Sequence, residues 1–479
     1  MSFHQGRESL PRRFRLVLLS VMQATGLPIS DVLTEEEIEH AFDEEGCSFA
    51  EEEDDTFTPS LTLWRFLSQV IQKQENRSCL SAVSRIIVLL VVLGRKPCDY
   101  NNGGYCKARA KLPEKIIERL AVHVAHNCEQ EIPEDWLWKK RHVKLADGTT
   151  ISLEDTPENQ EEYPQQASQK EGLGFPTARM VVLVSLATAM VCGMAMGPLS
   201  GKETGESALM RQLVDQLDPN DILLADKYFC SYFMIAMLTL MNVDIVSRLP
   251  SSRKEDTYRI QRLGKGDYLV KWPRPDKPDW MDQATYDQMP ESLTLRQLDV
   301  QVDQPGFRVE SFVVVTTLAA SKEYSTFDIA ELYHRRWLIE LDIRAIKCTM
   351  GMDVLRCKTP AMVRKECWTC LLAYNLIRKT MLQAAKDTDL SPRELSFMSA
   401  MQAMVASWVV IPTQDGPTIE SIISAQIASL TSQLVGQRPN RVEPRAVKRR
   451  PKPIPLLTMP RDEARELLRR GIDPYKKTK

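Results

Sequence analysis

The stretch HVKLADGTTISL, residues 142–153, carries apolar and β-branched residues on both sides of one Asp-Gly pair. This composition predicts a β-strand, and Asp-Gly is typical of a turn. We therefore predict a strand, a turn at Asp147-Gly148 and a continuation of the strand. The next apolar stretch, MVVLVSLATAMVCGMAMG at 180–197, contains a serine, a threonine and two glycines. It suits a membrane span poorly, since a span needs ~20 apolar residues, and it predicts two buried strands joined by a turn.

Helical and extended patterns alternate in the residues that follow. An amphipathic pattern predicts a helix at 206–217, and DILLA at 221–225 predicts a short buried strand. A helix at 231–241 and a strand at 243–249 come next. The order β-β-β-α-β-α-β is an α/β layout with three sequential strands first, which is the order of the ribonuclease-H-like fold. The later predicted elements are a strand at 312–318 and helices at 326–350 and 363–384.

Two regions precede or interrupt this core. Apolar residues recur with near-helical period from Leu61 to Ile71, and helical patterns continue to about residue 130. They predict a small helical N-terminal domain. Residues 250–310 hold Gly264-Lys265-Gly266, a proline cluster and short β-prone pieces, which predict an inserted β-rich subdomain.

The composition is that of an ordinary globular chain, with 43% hydrophobic and 26% charged residues over 479 positions. It excludes a wholly disordered, collagen-like or disulfide-dense protein. The eleven cysteines are odd in number and irregularly spaced, which favours reduced thiols and a cytoplasmic location.

The net charge of −2 hides a strong segregation of charge along the chain. Residues 31–55 hold thirteen acids and no Lys or Arg, which is typical of a solvated linker or tail. Residues 437–453 are basic and rich in proline, which suits phosphate binding or a solubilising tail.

Four polar side chains share one predicted helical stripe. They are Tyr333, Arg336, Glu340 and Lys347. Their spacings of 3, 4 and 7 residues make them project from one side of a helix. Stripes at this spacing are normally apolar and face the core, so a polar one indicates a site. The alternative is a solvated ladder of charges, because Arg336 and Glu340 form an i,i+4 pair.

Two further acids lie at the ends of predicted strands. Asp147 is in or just beyond the first strand, and Asp226 directly follows DILLA. Acids at strand ends are where α/β folds place sites, although each one alone is equally typical of a turn or cap. Together with Glu340 they form a three-acid set suited to Mg²⁺, a hard cation that prefers oxygen ligands.

The spacing Tyr-x2-Arg-x3-Glu-x6-Lys at 333–347, with DGTT at 147–150 and ADKYF at 225–229, resembles the signature of the insertion-sequence-4 family of bacterial DDE transposases. TLWRFLSQV at 62–70 and YCKARAKLP at 105–113 resemble the N-terminal region of that family. The resemblance spans roughly residues 57–455. The signature itself shows no departure, and Lys227, where an arginine is more often expected, retains the charge.

The resemblance implies cut-and-paste DNA transposition. Asp147, Asp226 and Glu340 would hold two Mg²⁺ ions, or Mn²⁺ in their place. A nick at the element end would free a 3′-OH, and attack of this hydroxyl on the opposite strand would give a hairpin. After the hairpin is reopened, both 3′-OH ends would attack target DNA. The implied partners are double-stranded DNA, at the terminal inverted repeats and the target, and a second copy of the chain in a synaptic complex. No membrane is implied, and the expected location is the bacterial cytoplasm, in association with the nucleoid.

The same resemblance assigns DNA contacts. Tyr333, Arg336 and Lys347 would grip phosphates, Arg as a bidentate donor and Lys as a point charge. A tryptophan in or near the insertion would stack on a flipped base, with Trp272 the first candidate and Trp280 the second. Either ring could instead belong to the core of the insertion. Basic residues that would help the helical domain read terminal-repeat DNA, or that line an ordinary solvated face, are Lys107, Arg109, Lys111 and Lys115.

Six segments follow from these patterns. They are an acidic N-terminal segment 1–56, a helical DNA-binding domain 57–135, a ribonuclease-H-like core in two parts 136–249 and 311–400, a β-rich insertion 250–310 between them, and a C-terminal region 401–479 with the basic tail. One alternative is a catalytically inactive or domesticated DNA-binding derivative. A second is a carboxylate-pair hydrolase such as a glycosidase, which the 7% aromatic content and the basic stripe disfavour.

Overall fold

The computed structural model describes Phe42, Gly46, Phe49, Phe57 and residues 59–92, 96–253, 258–301, 311–386, 388–410, 416–436 and 455–475. Apart from three of these single residues, the acidic segment 31–55 lies outside the described residues, and so does the basic segment 437–453. Within the described ranges, no helix is both long and apolar enough to cross a membrane.

One sheet contains the nine strands of the described part of the chain. They are β1 Val143–Ser152, β2 Thr177–Ser185, β3 Val191–Pro198, β4 Ile222–Ala225, β5 Asp244–Arg248, β6 Arg259–Gly264, β7 Asp267–Pro273, β8 Ser292–Gln301 and β9 Ser311–Thr316. Their order across the sheet is β3-β2-β1-β4-β5-β9-β8-β7-β6. The neighbours β1, β4 and β5 run parallel, and the other pairs are antiparallel. The predicted α/β class is confirmed.

The helices fall into three groups. Before the sheet come α1 Pro59–Val70, α2 Cys79–Val92, α3 Gly103–Lys111 and α4 Glu114–Gln130, which agrees with a helical N-terminal region. Between strands lie α5 Pro157–Glu162, α6 Glu206–Arg211, α7 Tyr232–Leu240 and α8 Gln283–Gln288. After the last strand follow α9 Thr326–His334, α10 Leu338–Arg344, α11 Pro360–Lys386, α12 Phe397–Val410, α13 Gly416–Ser432 and α14 Arg461–Arg469.

Strand β1 is unbroken, so the predicted turn at Asp147-Gly148 is wrong. Asp147 pairs with Val182 and Gly148 with Val181 in a ladder that continues to Ser152. The pairing with β2 satisfies the backbone along the whole of β1 and outweighs the local turn preference of Asp-Gly. The two strands predicted within 180–197 are confirmed as β2 and β3.

Apolar side chains cover both faces of the sheet, because alternate residues of a strand point to opposite sides. Leu145 lies in a cluster with α1, α4 and α11, whereas its neighbour Ala146 lies in a second cluster with α6 and α7. Strands buried on both faces are nearly continuously hydrophobic, as 180–184 is. The sheet is thus the middle of three layers.

The β-rich residues 250–310 do not form a separate sheet. Strands β6, β7 and β8 pair in sequence, and β8 pairs with β9, which also pairs with β5. Their ladder therefore continues the central sheet. The β content predicted for this region is present in its described residues, and a distinct inserted subdomain is not confirmed.

A buried arginine joins the helical N-terminal region to the later helices. Arg77, 4% exposed, donates to the carbonyl oxygens of Met350 (3.3 Å) and Gly351 (2.8 Å) and to Glu366 Oε1 (3.1 Å). The other oxygen of Glu366 accepts the N–H groups of Arg356 and Cys357, both at 2.9 Å. One buried ion pair thus fixes the loop that follows the 338–349 helix and anchors it to α11.

Replacing Arg77 by methionine leaves the Glu366 carboxylate buried and without its cation. Loss of one partner of a buried pair typically lowers the free energy of unfolding by about 3–5 kcal/mol. We expect this loss in urea unfolding followed by tryptophan fluorescence. The matched control is Lys386→Met, which breaks an ion pair between α11 and Glu131, the residue after α4. The two side chains are 31% and 54% exposed. This variant should change stability by less than ~1 kcal/mol, and equal losses would contradict the assignment.

Candidate active site

The register of two parallel strands brings two acids together. Strand β1 pairs with β4 from Val143↔Ile222 to Ala146↔Ala225, and the next residues are Asp147 and Asp226. Neighbouring strands lie about 4.8 Å apart, so these two residues begin side by side at the carboxyl end of the ladder. This edge is where open α/β sheets bind ligands.

Asp147 lies within β1, beyond the part that β4 covers. Its Oδ1 accepts the N–H of Gly148 at 2.8 Å, and its side chain is 22% exposed. Burial raises the pKa of Asp147 to about 6 against the opposing effects of that N–H and of Arg336. The carboxylates of Glu340 and Glu206 raise the pKa further. Several negative charges therefore converge on this residue.

Asp226 directly follows β4 and caps the short 3-10 turn Lys227–Phe229. Its Oδ1 accepts the N–H of Lys227 at 2.6 Å, and its carbonyl oxygen accepts the Ser247 hydroxyl at 2.9 Å. The Lys227 N–H thus orients the carboxylate, and the Ser247 hydroxyl ties the main chain of Asp226 to β5.

The predicted helix at 326–350 is interrupted. It consists of α9, a 3-10 turn Arg335–Trp337, α10 and a π-helical segment Ala345–Thr349. Local winding of this kind is frequent at functional sites. The uniform turn of 100° per residue behind the predicted stripe therefore does not hold along its whole length.

Three residues of the predicted stripe nevertheless face β1. Arg336 Nη2 lies 3.0 Å from Glu340 Oε1, and Arg336 Nη1 lies 3.8 Å from Asp147 Oδ2. Lys347 Nζ donates to Thr149 Oγ1 at 3.0 Å and to the Thr150 carbonyl at 2.6 Å. Arg336 thus lies between the carboxylates of Glu340 and Asp147. The hydrogen bonds of Lys347 hold the π-helical segment against β1.

Tyr333, the fourth residue of the stripe, is buried at 7% exposure against Phe312, with ring centroids 5.1 Å apart. Burial raises the pKa of its hydroxyl, and Arg336 opposes this shift. Its contact with a phosphate stays a prediction.

Trp272, the first candidate for base stacking, is 1% exposed, and the Arg253 guanidinium covers its ring at 3.8 Å. It lies in β7 opposite Leu293 and belongs to the core, so its ring offers no face to a base in this conformation. Trp280 is half-buried, with Arg211 at 3.9 Å from its centroid. Trp272 therefore packs in the core, as the alternative interpretation of this residue expects.

One acid near the site had no signal in the sequence patterns. Glu206 is the first residue of α6, and a Cβ on Gly148 would lie 2.4 Å from its Cδ and Oε1. Its carboxylate therefore covers the residue next to Asp147. Burial raises the pKa of Glu206, and the charge of Asp226 adds to this shift. Because 58 residues separate positions 147 and 206, no local sequence pattern could predict this contact.

The donor chemistry fits a divalent cation. Carboxylates of Asp147, Asp226 and Glu340 offer the oxygen ligands that Mg²⁺ prefers, and mutual repulsion between such groups is relieved by a cation. In the described part of the chain, no three His, Cys, Asp or Glu side chains lie close enough together to hold an ion as they stand. Arg336 places a positive charge beside Asp147 and Glu340.

Carboxylates beside an arginine, at the carboxyl end of parallel strands, are suited to bind a cation and a phosphate. Residues 138–376 match the family model of the transposase DDE domain. The chain belongs to this family. It is 26% identical over 396 residues to Transposase InsG for insertion sequence element IS4 of Escherichia coli (strain K12), covering 82% of this chain and 85% of that protein. The resemblance to the insertion-sequence-4 transposases is therefore confirmed.

Among solved structures, the chain is similar to a cryo-EM structure of a piggyBac transposase synaptic complex with hairpin DNA. The TM-score is 0.43 and the identity 10%, over 87% of this chain and 84% of that chain.

The raised pKa of Asp147 predicts a stability that depends on pH. Because its folded-state pKa of about 6 exceeds the ordinary 3.8, the folded protein binds the proton more tightly, and stability falls as pH rises from about 4 to 6. Asp147→Asn cannot ionise and should be more stable than the native protein at pH 7.5 by roughly 2–3 kcal/mol. The difference should vanish near pH 4. Urea unfolding in chelator-containing buffer measures it, and a variant less stable at pH 7.5 would contradict the prediction.

Proposed function

We propose that this protein moves its own insertion sequence by a cut-and-paste route. It would cleave and join DNA at the terminal inverted repeats by metal-dependent phosphodiester hydrolysis and strand transfer. The observation that carries the proposal is the adjacent register of Asp147 and Asp226, with Arg336 between Asp147 and Glu340, in a chain of the DDE family. The strand order β3-β2-β1-β4-β5 supports a ribonuclease-H-like core for this chemistry.

In this proposal Asp147, Asp226 and Glu340 would hold two Mg²⁺ ions, whose chemistry would be to activate the attacking oxygen and stabilise the leaving one. The chain fixes two of these ligands through backbone bonds, from Gly148 to Asp147 and from Lys227 to Asp226. Hydrolysis of the phosphodiester at the element end frees a 3′-OH. Attack of that hydroxyl on a phosphodiester of the opposite strand closes a hairpin and displaces the flanking DNA as a 3′-OH. Hydrolysis of the hairpin by water would restore the 3′-OH of the element end, which then attacks a target phosphodiester in the same site and displaces a target 3′-OH.

Arg336 and Lys347 would contact phosphates near the cleaved end. In the DNA-free protein the guanidinium of Arg336 contacts the carboxylates of Asp147 and Glu340. The same planar group has the geometry to bind two oxygens of a phosphate. Entry of cations beside Asp147 and Glu340 would replace the charge that Arg336 now supplies there. The guanidinium would then be released to the DNA backbone.

The helical region 57–135 would bind the terminal repeats. Lys107, Lys111 and Lys115 are exposed on α3 and α4, whereas Arg109 is buried and bonds Gln69 Oε1 at 2.9 Å. The predicted role in DNA recognition therefore extends to the three lysines and not to Arg109. The synaptic complex of the proposal contains two copies of the chain on two paired element ends, in the bacterial cytoplasm at the nucleoid.

Cleavage of a duplex that carries the terminal inverted repeat flanking the gene tests the function. With Mg²⁺, the native protein should nick the duplex and leave a free 3′-OH, and denaturing gels should reveal any hairpin. Glu340→Gln keeps the shape of the side chain but removes its charge. Its cleavage rate should fall by at least about 100-fold, the scale on which loss of one transition-state-stabilising group acts.

The matched control is Glu331→Gln on the same helical segment, where the carboxylate pairs with Arg335 at the surface. This variant should cleave like the native protein. Tight binding of the repeat without cleavage in Mg²⁺ or Mn²⁺ would instead favour the catalytically inactive DNA-binding derivative.

A further inference from the structure

Two arginines of the helical N-terminal region lie within electrostatic range of each other. Arg65 in α1 is 1% exposed, and Arg85 in α2 is partly buried. Burial, and after it the like charge of Arg85, lower the pKa of Arg65 to about 9, so Arg65 stays protonated at neutral pH. Arginine carries its charge in proteins generally. Two positive charges therefore lie side by side between these helices.

Each of the two guanidinium groups keeps one edge without an acceptor. Arg65 Nη1 donates to Ser68 Oγ at 3.3 Å, and Arg85 Nη1 donates to the Asn76 carbonyl at 3.0 Å and to Ser81 Oγ at 2.9 Å. Within the described residues, the buried Nε and Nη2 atoms of both arginines have no hydrogen-bond partner. Together Nε and Nη2 form the edge that binds two oxygens of an oxyanion side by side.

The same edge binds a carboxylate elsewhere in this protein. Arg296, also 1% exposed, donates from Nε to Asp267 Oδ1 at 2.9 Å and from Nη2 to Oδ2 at 2.7 Å. Burial of a charge is costly unless an opposite charge and hydrogen bonds compensate it. The edges of Arg65 and Arg85 thus have the geometry of an anion site.

The surroundings of Arg65 do not supply a negative charge. Besides Arg85, the groups that act on it are Tyr105 and Cys98. Burial raises the pKa of both, so neither is ionised at neutral pH. The centroid of the Trp64 ring lies 5.1 Å from Arg65 Cζ, and its face attracts the cation but offers no oxygen acceptor. An anion from outside these helices is therefore required.

We propose that Arg65 and Arg85 bind one phosphate group between α1 and α2. Two guanidinium edges can engage more oxygens than a carboxylate has, and a phosphate offers these oxygens with a larger negative charge. Thr62, one turn before Arg65 on α1, adds a fully buried hydroxyl that has no partner among the described residues. Inorganic phosphate and the DNA backbone both present this group. The inference does not depend on the chemistry of the proposed function.

Equilibrium dialysis of the full chain against labelled inorganic phosphate measures the site directly. Arg85→Met should weaken binding by about 10-fold or more, because it removes charge-assisted hydrogen bonds. Lys73→Met is the matched control, since Lys73 is exposed in the connection between α1 and α2, and it should leave the affinity unchanged. Phosphate bound elsewhere, for example at Arg336, is common to all three proteins. Equal binding by the native protein and Arg85→Met would overturn the site.

Urea unfolding distinguishes a ligand-binding arginine from a structural one. In chloride buffer, Arg85→Met should unfold at the same or a higher urea concentration than the native protein, because it relieves repulsion with Arg65. In phosphate the order should reverse, because the ligand stabilises only the protein that binds it. Phosphate also stabilises proteins in general, so the two are compared within each buffer. An equal loss of stability in both buffers would contradict the proposal.

Arg65→Met should show the same reversal, and circular dichroism checks that each variant retains its fold. A DNA duplex of unrelated sequence, added to the dialysis, then identifies the source of the phosphate group. Displacement of the phosphate that Arg85→Met fails to bind assigns the site to the DNA backbone, and its retention assigns the site to a free ion. Both results support the site. Cleavage is not measured, so the proposed function and this inference can fail separately.

Discussion

The parallel pairing of β1 with β4 is the constraint on which the site depends. The ladder ends at Ala146↔Ala225, and each strand continues with an aspartate. A shift of one residue in this register would turn one of the two carboxylates to the other face of the sheet. The burial of β1 and β4 on both faces makes such a shift costly, because every apolar side chain would change sides. Packing of the core thus specifies the position of the acids.

The helix that carries Glu340 is held to this edge by contacts that also involve charge. Lys347 bonds the backbone of β1 beyond Asp147, and Arg336 lies between Asp147 and Glu340. Behind them, Arg77 holds the loop at Met350 and Gly351 against α11. The helical N-terminal region therefore supports the helix that carries Glu340, and apolar residues of this region and of the sheet belong to one cluster.

The sequence predicted the elements whose signal is local. Acids at strand ends and the polar spacing from 333 to 347 identified the carboxylates, because strand and helix periods are fixed by backbone geometry. The turn at Asp147-Gly148 was wrong because a ladder with a distant strand overrode a local preference. Glu206 and the burial of Trp272 depend on contacts between residues far apart in the chain, and no local pattern records those.

Gly148 is a residue for which the local sequence pattern and the fold indicate different roles. In the sequence it belongs to a DGTT motif, and Asp-Gly is typical of a turn. In the fold it is a strand residue whose missing side chain leaves room for the Glu206 carboxylate. Its small size therefore serves close approach and not a reversal of the chain. A glycine beside a site acid in an unbroken strand is thus a reason to search the neighbouring elements for the group that occupies the space above it.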